Sequence, residues 1–479
     1  MTSSASGSPR SDAAPGLVGT ELELPVVAGP DGAPPDRSVF DALWTECAGQ
    51  GWTRADHGVS RSSATPGPSL TSTQAISTDT GPVLELATAP CATLSDVRAQ
   101  FVELRDRARE ALDRLGCAML GCGVHPGLRP VPADYYRHRT PRAAYDYAVR
   151  ERGWRHWSIV DKAAVQEIVD VGFEDAPRLL STLHRLSGLM NFVLRNDPGV
   201  HARAGRRPSV RSLAWRMHVP RDGRFAGDAG KVVVPREVVR SWQDYLAIFW
   251  ERAPMFLVGT KDRGHAYVPE HPSLLDFVRR APADGWDARL LDGTPIRVRP
   301  DASHVTGSDW WYMGFARVRW KWRHPLPDAR EIVAAWDAGR IEAFLASALE
   351  KVVVENRSTS AQPPGEELVS LGLIAGLAAN LDAAERFADA APYMLWRRLL
   401  EASTREPLTA NVDGREVVAL ARDMIAIAEA GLTRRGEASP AAWLAPLHQR
   451  LADGVSPAER RLDELRRGGA AAMVAATRI

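Results

Sequence analysis

Three short, widely separated stretches of apolar residues place carboxylates on the polar face of an apparent half-buried strand. They are Val18–Leu24 (VGTELEL), Pro82–Thr88 (PVLELAT) and Val352–Arg357 (VVVENR). Successive side chains of a strand point to opposite faces. Glu21 and Glu23 therefore share one face, and Leu22 and Leu24 the other. Glu85 stands alone among Val83, Leu84 and Leu86, while Glu355 and Arg357 point together, opposite Val354. A fourth strand, 316–323 (ARVRWKWR), alternates strictly: Ala316, Val318, Trp320 and Trp322 share one face, Arg317, Arg319, Lys321 and Arg323 the other. Residues 163–171 (AAVQEIVDV) and 118–124, which ends at His125-Pro126, also read as strands.

Helical spacing is clearest over 93–115, where Leu94, Val97, Phe101, Leu104, Ala108 and Leu112 recur every three or four residues. Further helices are predicted at 38–50, 143–151, 174–196, 239–250 and 328–350. From about residue 365 onward every periodic segment is helical, and residues 467–479 are predicted to fray. Residues 58–70 are Ser/Pro-rich and read as a loop or weak hairpin; a basic loop is predicted at 203–211. Strands mixed with helices, followed by helices alone, give an α+β fold: a mostly antiparallel sheet with flanking helices and a helical C-terminal segment.

Composition narrows the function. The chain has 479 residues, 45% hydrophobic and 25% charged, which is ordinary for a globular protein. A net charge of +1 supplies no bulk field toward nucleic acid or anionic lipid. No apolar run is long enough to span a bilayer, and the polar N-terminus (MTSSASGSPRSDAAPG) lacks the core of a secretion signal, so a cytoplasmic protein is expected. Cys47, Cys91, Cys117 and Cys122 form no metal-binding spacing and read as buried thiols.

A carboxylate on a half-buried strand is costly unless something neutralises it. A single pair such as Glu21 and Glu23 is best read as a solvated outer face. Three such strands, one with an adjacent arginine, favour a divalent metal, and hard oxygen ligands suit Mg²⁺ or Mn²⁺. The basic strand offers cations on one rigid face, as for clamping a polyphosphate, although a solvated face over packed tryptophans is the plainer reading. His125 follows a Gly-rich turn, where histidines more often serve the turn than catalysis. No P-loop or dinucleotide fingerprint is present, so ATP use would require a metal-rich site of another kind.

In order along the chain, these pieces resemble the glutamate–cysteine ligase-like (carboxylate–amine ligase) family of the glutamine synthetase superfamily. Gly19–Leu24 (GTELEL) resembles the family's Gly-x-Glu-x-Glu strand. Pro82–Pro90 (PVLELATAP) resembles its next acidic strand, and Gly121–Pro126 (GCGVHP) its Gly-x-x-x-His-Pro turn. Ala164–Asp170 (AVQEIVD) places Gln166 and Asp170, and Arg211–Pro220 (RSLAWRMHVP) places Arg211 and Trp215. Asp309–Arg319 and Val354–Pro363 (VENRSTSAQP) complete the series, the latter placing Glu355, Arg357 and Gln362.

The resemblance implies a concave antiparallel sheet, a glutamine synthetase-like catalytic fold, binding ATP and Mg²⁺ (or Mn²⁺). It implies a carboxylate activated as an acyl phosphate and captured by an amine. Glu21, Glu23, Glu85 and Glu355 would be metal ligands. Arg357, Arg319, Lys321, Gln166 and Arg211 would hold the nucleotide, and Arg357, Arg319 and His125 are the candidate catalytic side chains. The implied division is a disordered lead at 1–16, a catalytic domain at 17–366 with a helical insertion at 324–350, and a helical segment at 367–479. The expected partners are a small-molecule acid and amine, with neither nucleic acid nor membrane; Trp and Leu on the helices suit a homo-oligomer interface as well as a core. Family positions have drifted at Tyr312, Arg317, Ile168 and Val219, which points to an altered substrate. A catalytically silent binding or regulatory subunit, and a ligase or deamidase acting on a protein as in the Pup ligase relatives, are the alternatives.

Overall fold

The computed structural model describes residues 16–55, 57–62, 73–200, 207–260 and 263–479. The expected lead at 1–16 (but for its last residue), most of the loop 58–70 and the start of the basic loop 203–211 fall outside them. The fold is α+β, as expected. Its centre is a nine-stranded sheet: Val18–Val27 (β1), Thr53–Ala55 (β2), Gly58–Ser62 (β3), Thr73–Thr78 (β4), Val83–Ala87 (β5), Ala118–Met119 (β6), Ala164–Asp170 (β7), Ala316–Trp322 (β8) and Leu349–Ser360 (β9). The order is β8-β9-β7-β1-β5-β4-β3-β2, with β6 also on β1. Every pairing in it is antiparallel.

The alternation read from the sequence sets what each face does. Leu22, Leu24, Leu84, Leu86, Val165, Val169, Val318 and Val354 are buried on one face. The helices Leu94–Arg114, Asp175–Leu194 and Val369–Ala379 pack against the sheet. Burying a Leu or Val side chain contributes about 1.5–3 kcal/mol, so this face fixes the register. On the other face Glu21, Glu85, Ala87, Ile168, Arg317, Arg319 and Arg357 remain half-buried.

Helix packing behind the sheet demands glycine at one crossing. A Cβ on Gly431 would lie 1.8 Å from the Gly376 carbonyl oxygen, and one on Gly376 would lie 2.3 Å from that of Ala428. The helices Val369–Ala379 and Val417–Arg435 thus meet backbone to backbone. Gly431→Ala should destabilise the fold by about 3 kcal/mol, because neither backbone can yield cheaply. An unchanged urea midpoint would contradict that packing.

The structure departs from the sequence reading in three places. Four short strands, Val258–Thr260, Gly264–Tyr267, Trp286–Leu290 and Pro295–Val298, form a separate antiparallel sheet that the sequence reading did not include. The expected helix 328–350 is two helices, Ala329–Asp337 and Ile341–Ala348, separated at Gly339 with φ 64°. The first packs on the helices Leu274–Arg279 and Ala302–Thr306, the second on Trp242–Trp250. The C-terminal residues do not fray. Met473 and Val474 are buried with Val27, Leu120, Cys122 and Val124, and the Ile479 N–H donates to the Met119 carbonyl at 3.0 Å. Small residues around 470 hid that docking from the periodicity. The four cysteines are buried and free, and no helix among the described residues is long and apolar enough to cross a membrane.

Candidate active site

Four strands far apart in sequence bring their polar positions onto one sheet face. Directly opposed residues of an antiparallel pair share a face, with Cβ atoms about 5 Å apart. Glu23 of β1 faces Glu85 of β5, and Glu21 faces Gln166 of β7 on one side and Ala87 on the other. Glu355 of β9 faces Arg317 of β8 and Ile168 of β7. A register shift in β9 after Asn356 leaves Arg357 unpaired in the ladder and turned to the same face, where its guanidinium donates to Gln166 Oε1 and Glu355 Oε1, each at 2.5 Å.

The face divides electrostatically. Its β9 side is neutralised. Arg317 Nε donates to Glu355 Oε2 at 2.9 Å, and Arg319 approaches the same oxygen at 3.8 Å. Burial alone would raise the Glu355 carboxyl, but Arg317, Arg357 and Arg319 outweigh it and hold the group down at about 2. Burial also lowers Arg317, with Glu355 opposing.

The β1–β5 side lacks such cover. Burial is the first cause raising Glu21, with Glu355 adding to it and the three arginines opposing. Glu85 stands well above the usual carboxylate range through burial and the charges of Glu21, Asp79 and Glu23, while its hydrogen bond from Ser77 Oγ, 3.0 Å, pulls it back. Glu23 accepts from the Ala164 N–H (2.7 Å) and Gln166 Nε2 (2.9 Å), yet burial and Asp79 push it up to about 7. Glu21 makes no hydrogen bond or ion pair among the described residues.

That imbalance has a pH consequence. The folded state holds a proton on Glu23 more tightly than the unfolded chain does. Its contribution is therefore full below about 4.5 and is lost as pH rises through about 7, a change on the order of 3 kcal/mol. In metal-free buffer the protein should lose stability between pH 5 and pH 8, and Glu23→Gln should reduce the loss. Equal losses in both proteins, by urea denaturation, would show that Glu23 is not crowded by like charge.

A divalent cation suits the charge of Glu21, Glu23 and Glu85, since the arginines and hydrogen bonds near them offset their burial and mutual repulsion only in part. Their positions are not a ready-made cage: among the described residues, no three His, Cys, Asp or Glu side chains converge as ligands of one ion. Glu355 has its two oxygens occupied by guanidinium groups.

The remaining candidates divide. Gln166 is buried in the cluster, bridging Glu23 and Arg357. Arg211 lies at the start of the helix Arg211–His218, donates to the Arg357 carbonyl at 3.0 Å and has a buried Nε without a partner; burial lowers it, and Glu23 opposes this. Lys321 is exposed and paired with Glu350 at 2.7 Å, at the outer end of β8. His125 is fully buried: Nε2 contacts the Val26 carbonyl at 2.8 Å, and the Gly127 N–H donates to Nδ1 at 3.2 Å. These bonds tie His125 into the turn.

Two carboxylates were given no role in the sequence analysis, although Asp309 opens one of its motifs. Asp79, in the turn before β5, adds negative charge beside Glu85 and Glu23 and accepts from Tyr145 Oη at 3.3 Å. Asp309 pairs with Arg319 at 3.7 Å; burial raises it and Arg319 opposes. Asp79 sits in a polar turn (STDTG) with no periodicity to mark it.

Residues 17–476 match glutamate-cysteine ligase family 2 (GCS2). The chain belongs to that family. Two solved structures share its fold. A bifunctional glutathione synthetase from Pasteurella multocida has a TM-score of 0.53 at 13% identity, covering 96% of this chain and 52% of the other. The glutamate–cysteine ligase from Francisella tularensis, solved in complex with AMP, has a TM-score of 0.51 at 10% identity, covering 97% and 88%. The chain thus spans about half the length of the Pasteurella multocida enzyme. No curated protein sequence matches significantly.

Two drifted positions now have a physical setting. Tyr312 is fully buried beside Tyr245, Phe249 and His184, so it fills the core behind the sheet. Arg317 is on the active face, its guanidinium on Glu355.

Proposed function

We propose that this protein is an ATP-dependent carbon–nitrogen ligase. It would join a small carboxylic acid to an amine through an acyl phosphate, with an acid substrate of amino-acid type. One observation carries the reading: carboxylates held above their ordinary range and an arginine cluster lie side by side on a single half-buried sheet face. Phosphates and a substrate carboxylate are all anionic, and only such a mixed surface can bring them together.

Glu21, Glu85 and Glu23 would hold divalent cations, which supply charge neutralisation for the nucleotide phosphates. Glu355 would aim Arg357 and Arg319 at the phosphoryl group being transferred; a guanidinium fork matches phosphate oxygens. Gln166 fixes Arg357 from the second side, and Arg211 secures the backbone of the same residue. An acyl phosphate is open to hydrolysis, so the flanking segments at 211–218 and 309–311 would limit water.

The test is ADP release with Mg²⁺ across paired panels of acids and amines. Release that needs both substrates supports the ligase. Arg317 favours a second reading: an arginine already seated on Glu355, where relatives of this motif carry a carboxylate, suits a nucleotide-binding subunit without turnover. Nucleotide binding with no ADP release across the panels would decide for it.

A further inference from the structure

A cavity of about 670 Å³ lies beside the helix Arg211–His218. Arg211 and Trp215 are one helical turn apart, whereas Arg216 is rotated from Arg211 by roughly 140° and lines the cavity instead. Four more arginines line it: Arg221, Arg236, Arg252 and Arg397. The carboxylates present are fewer and loosely engaged. Glu401 is 3.6 Å from Arg216 and Glu237 is 3.9 Å from Arg252, while Asp244 accepts the Arg240 N–H at 2.9 Å. Arg221 and Arg397 reach only backbone carbonyls, those of Arg216 and Arg236, at 3.4 and 3.3 Å. Arg221, Arg236 and Arg397 thus have no carboxylate partner among the described residues.

Like charges gathered around a concavity are unfavourable unless an anion joins them. Burial lowers Arg216 and the charges of Arg221, Arg397 and Arg405 lower it further, against Glu401. The backbone points the same way. Val233 in the lining has φ 64°, a conformation that a β-branched residue adopts only when its surroundings impose it. Its carbonyl accepts the Phe315 N–H at 2.8 Å, and Val233 pairs with Gly314. Such imposed conformations concentrate at ligand clamps.

We propose that this arginine-lined cavity binds a small molecule carrying two or more closely spaced negative charges, at a site separate from the glutamate-bearing sheet face. A diphosphate and a tricarboxylate both offer that chemistry to guanidinium forks. Binding there needs no divalent metal, in contrast to the sheet face, whose bare carboxylates repel anions.

Calorimetric titration in EDTA at low salt, with inorganic pyrophosphate in one arm and citrate in the other, tests this. The wild-type protein should bind at least one probe with one-to-one stoichiometry, more weakly as salt is added. The Arg216→Gln/Arg397→Gln protein should lose at least about tenfold in affinity. Arg236→Glu changes only an exposed side chain and should lose as much, which covers the case of a double variant that folds poorly. Arg319→Gln, on the sheet face, should bind as the wild type does. The probe that binds identifies the ligand as phosphate- or carboxylate-bearing, and binding of both assigns the site to charge alone. No binding of either probe, equal binding in the cavity variants, or loss in Arg319→Gln would overturn the proposal.

Discussion

Glu355→Ala is expected to destabilise the protein by about 3–5 kcal/mol and to lower ligase turnover at least a thousandfold. Glu355 is fully buried, and three arginines converge on it. Removing one partner of a buried ionic cluster leaves the others charged and desolvated, which costs more than the intact cluster contributes. The loss of turnover has a separate cause: Arg357 and Arg319 would no longer be aimed. Glu355→Gln keeps one acceptor oxygen and should cost less stability while still losing activity. The same logic fixes the acid limb. A carboxyl held at about 2 contributes stability fully above about 4.5 and loses it as pH falls toward 2. An unfolding free energy from urea titration within about 0.5 kcal/mol of wild type for Glu355→Ala would mean that the arginines do not depend on it.

The second large effect lies on the opposite side of the face. Glu21→Gln/Glu85→Gln should make the metal-free protein more stable at pH 8 and remove its gain from Mg²⁺ with a non-hydrolysable ATP analogue. In the wild-type protein both carboxyls are raised by burial, and each is raised further by an acidic neighbour, so ionising them strains the folded state. A bound cation would reverse the sign. At a ligand concentration one hundredfold above its dissociation constant, the gain is about 2.7 kcal/mol. Thermal unfolding with and without Mg²⁺ reads both halves of this prediction. A double variant that is less stable without metal, yet keeps the full Mg²⁺ gain, would remove these two residues from the metal site.

Much of the active face was legible in the sequence because a strand's period is fixed. GTELEL, PVLELA, AVQEIVD and VVVENR each separate a buried side from a polar side, and the observed register joins those polar sides into one surface. Periodicity does not report what each polar group will touch. Glu355 and Glu21 look alike as acids on strands, yet one is enclosed by guanidinium groups and the other is left without a partner, because only the β8–β9 pairing brings Arg317 across from Glu355. Asp79 escaped notice since turns have no period. His125 was marked by its motif, and its two ring nitrogens meet backbone groups of β1 and of the turn, contacts that periodicity does not report. The second, four-stranded sheet went unseen because strands of three to five residues give too few repeats to set a period apart from chance, even where one of them, Trp286–Leu290, alternates.

The central claim is that glutamates and arginines drawn from β1, β5, β8 and β9 form one nucleotide-binding face completed by divalent cations. Titration of a non-hydrolysable ATP analogue, comparing Mg²⁺ with EDTA in the wild type and in Glu21→Gln/Glu85→Gln, measures it most directly. The account predicts tight binding that needs Mg²⁺ and that the double variant loses by at least about a hundredfold. Binding that is unchanged by EDTA, or equal in the two proteins, would contradict it.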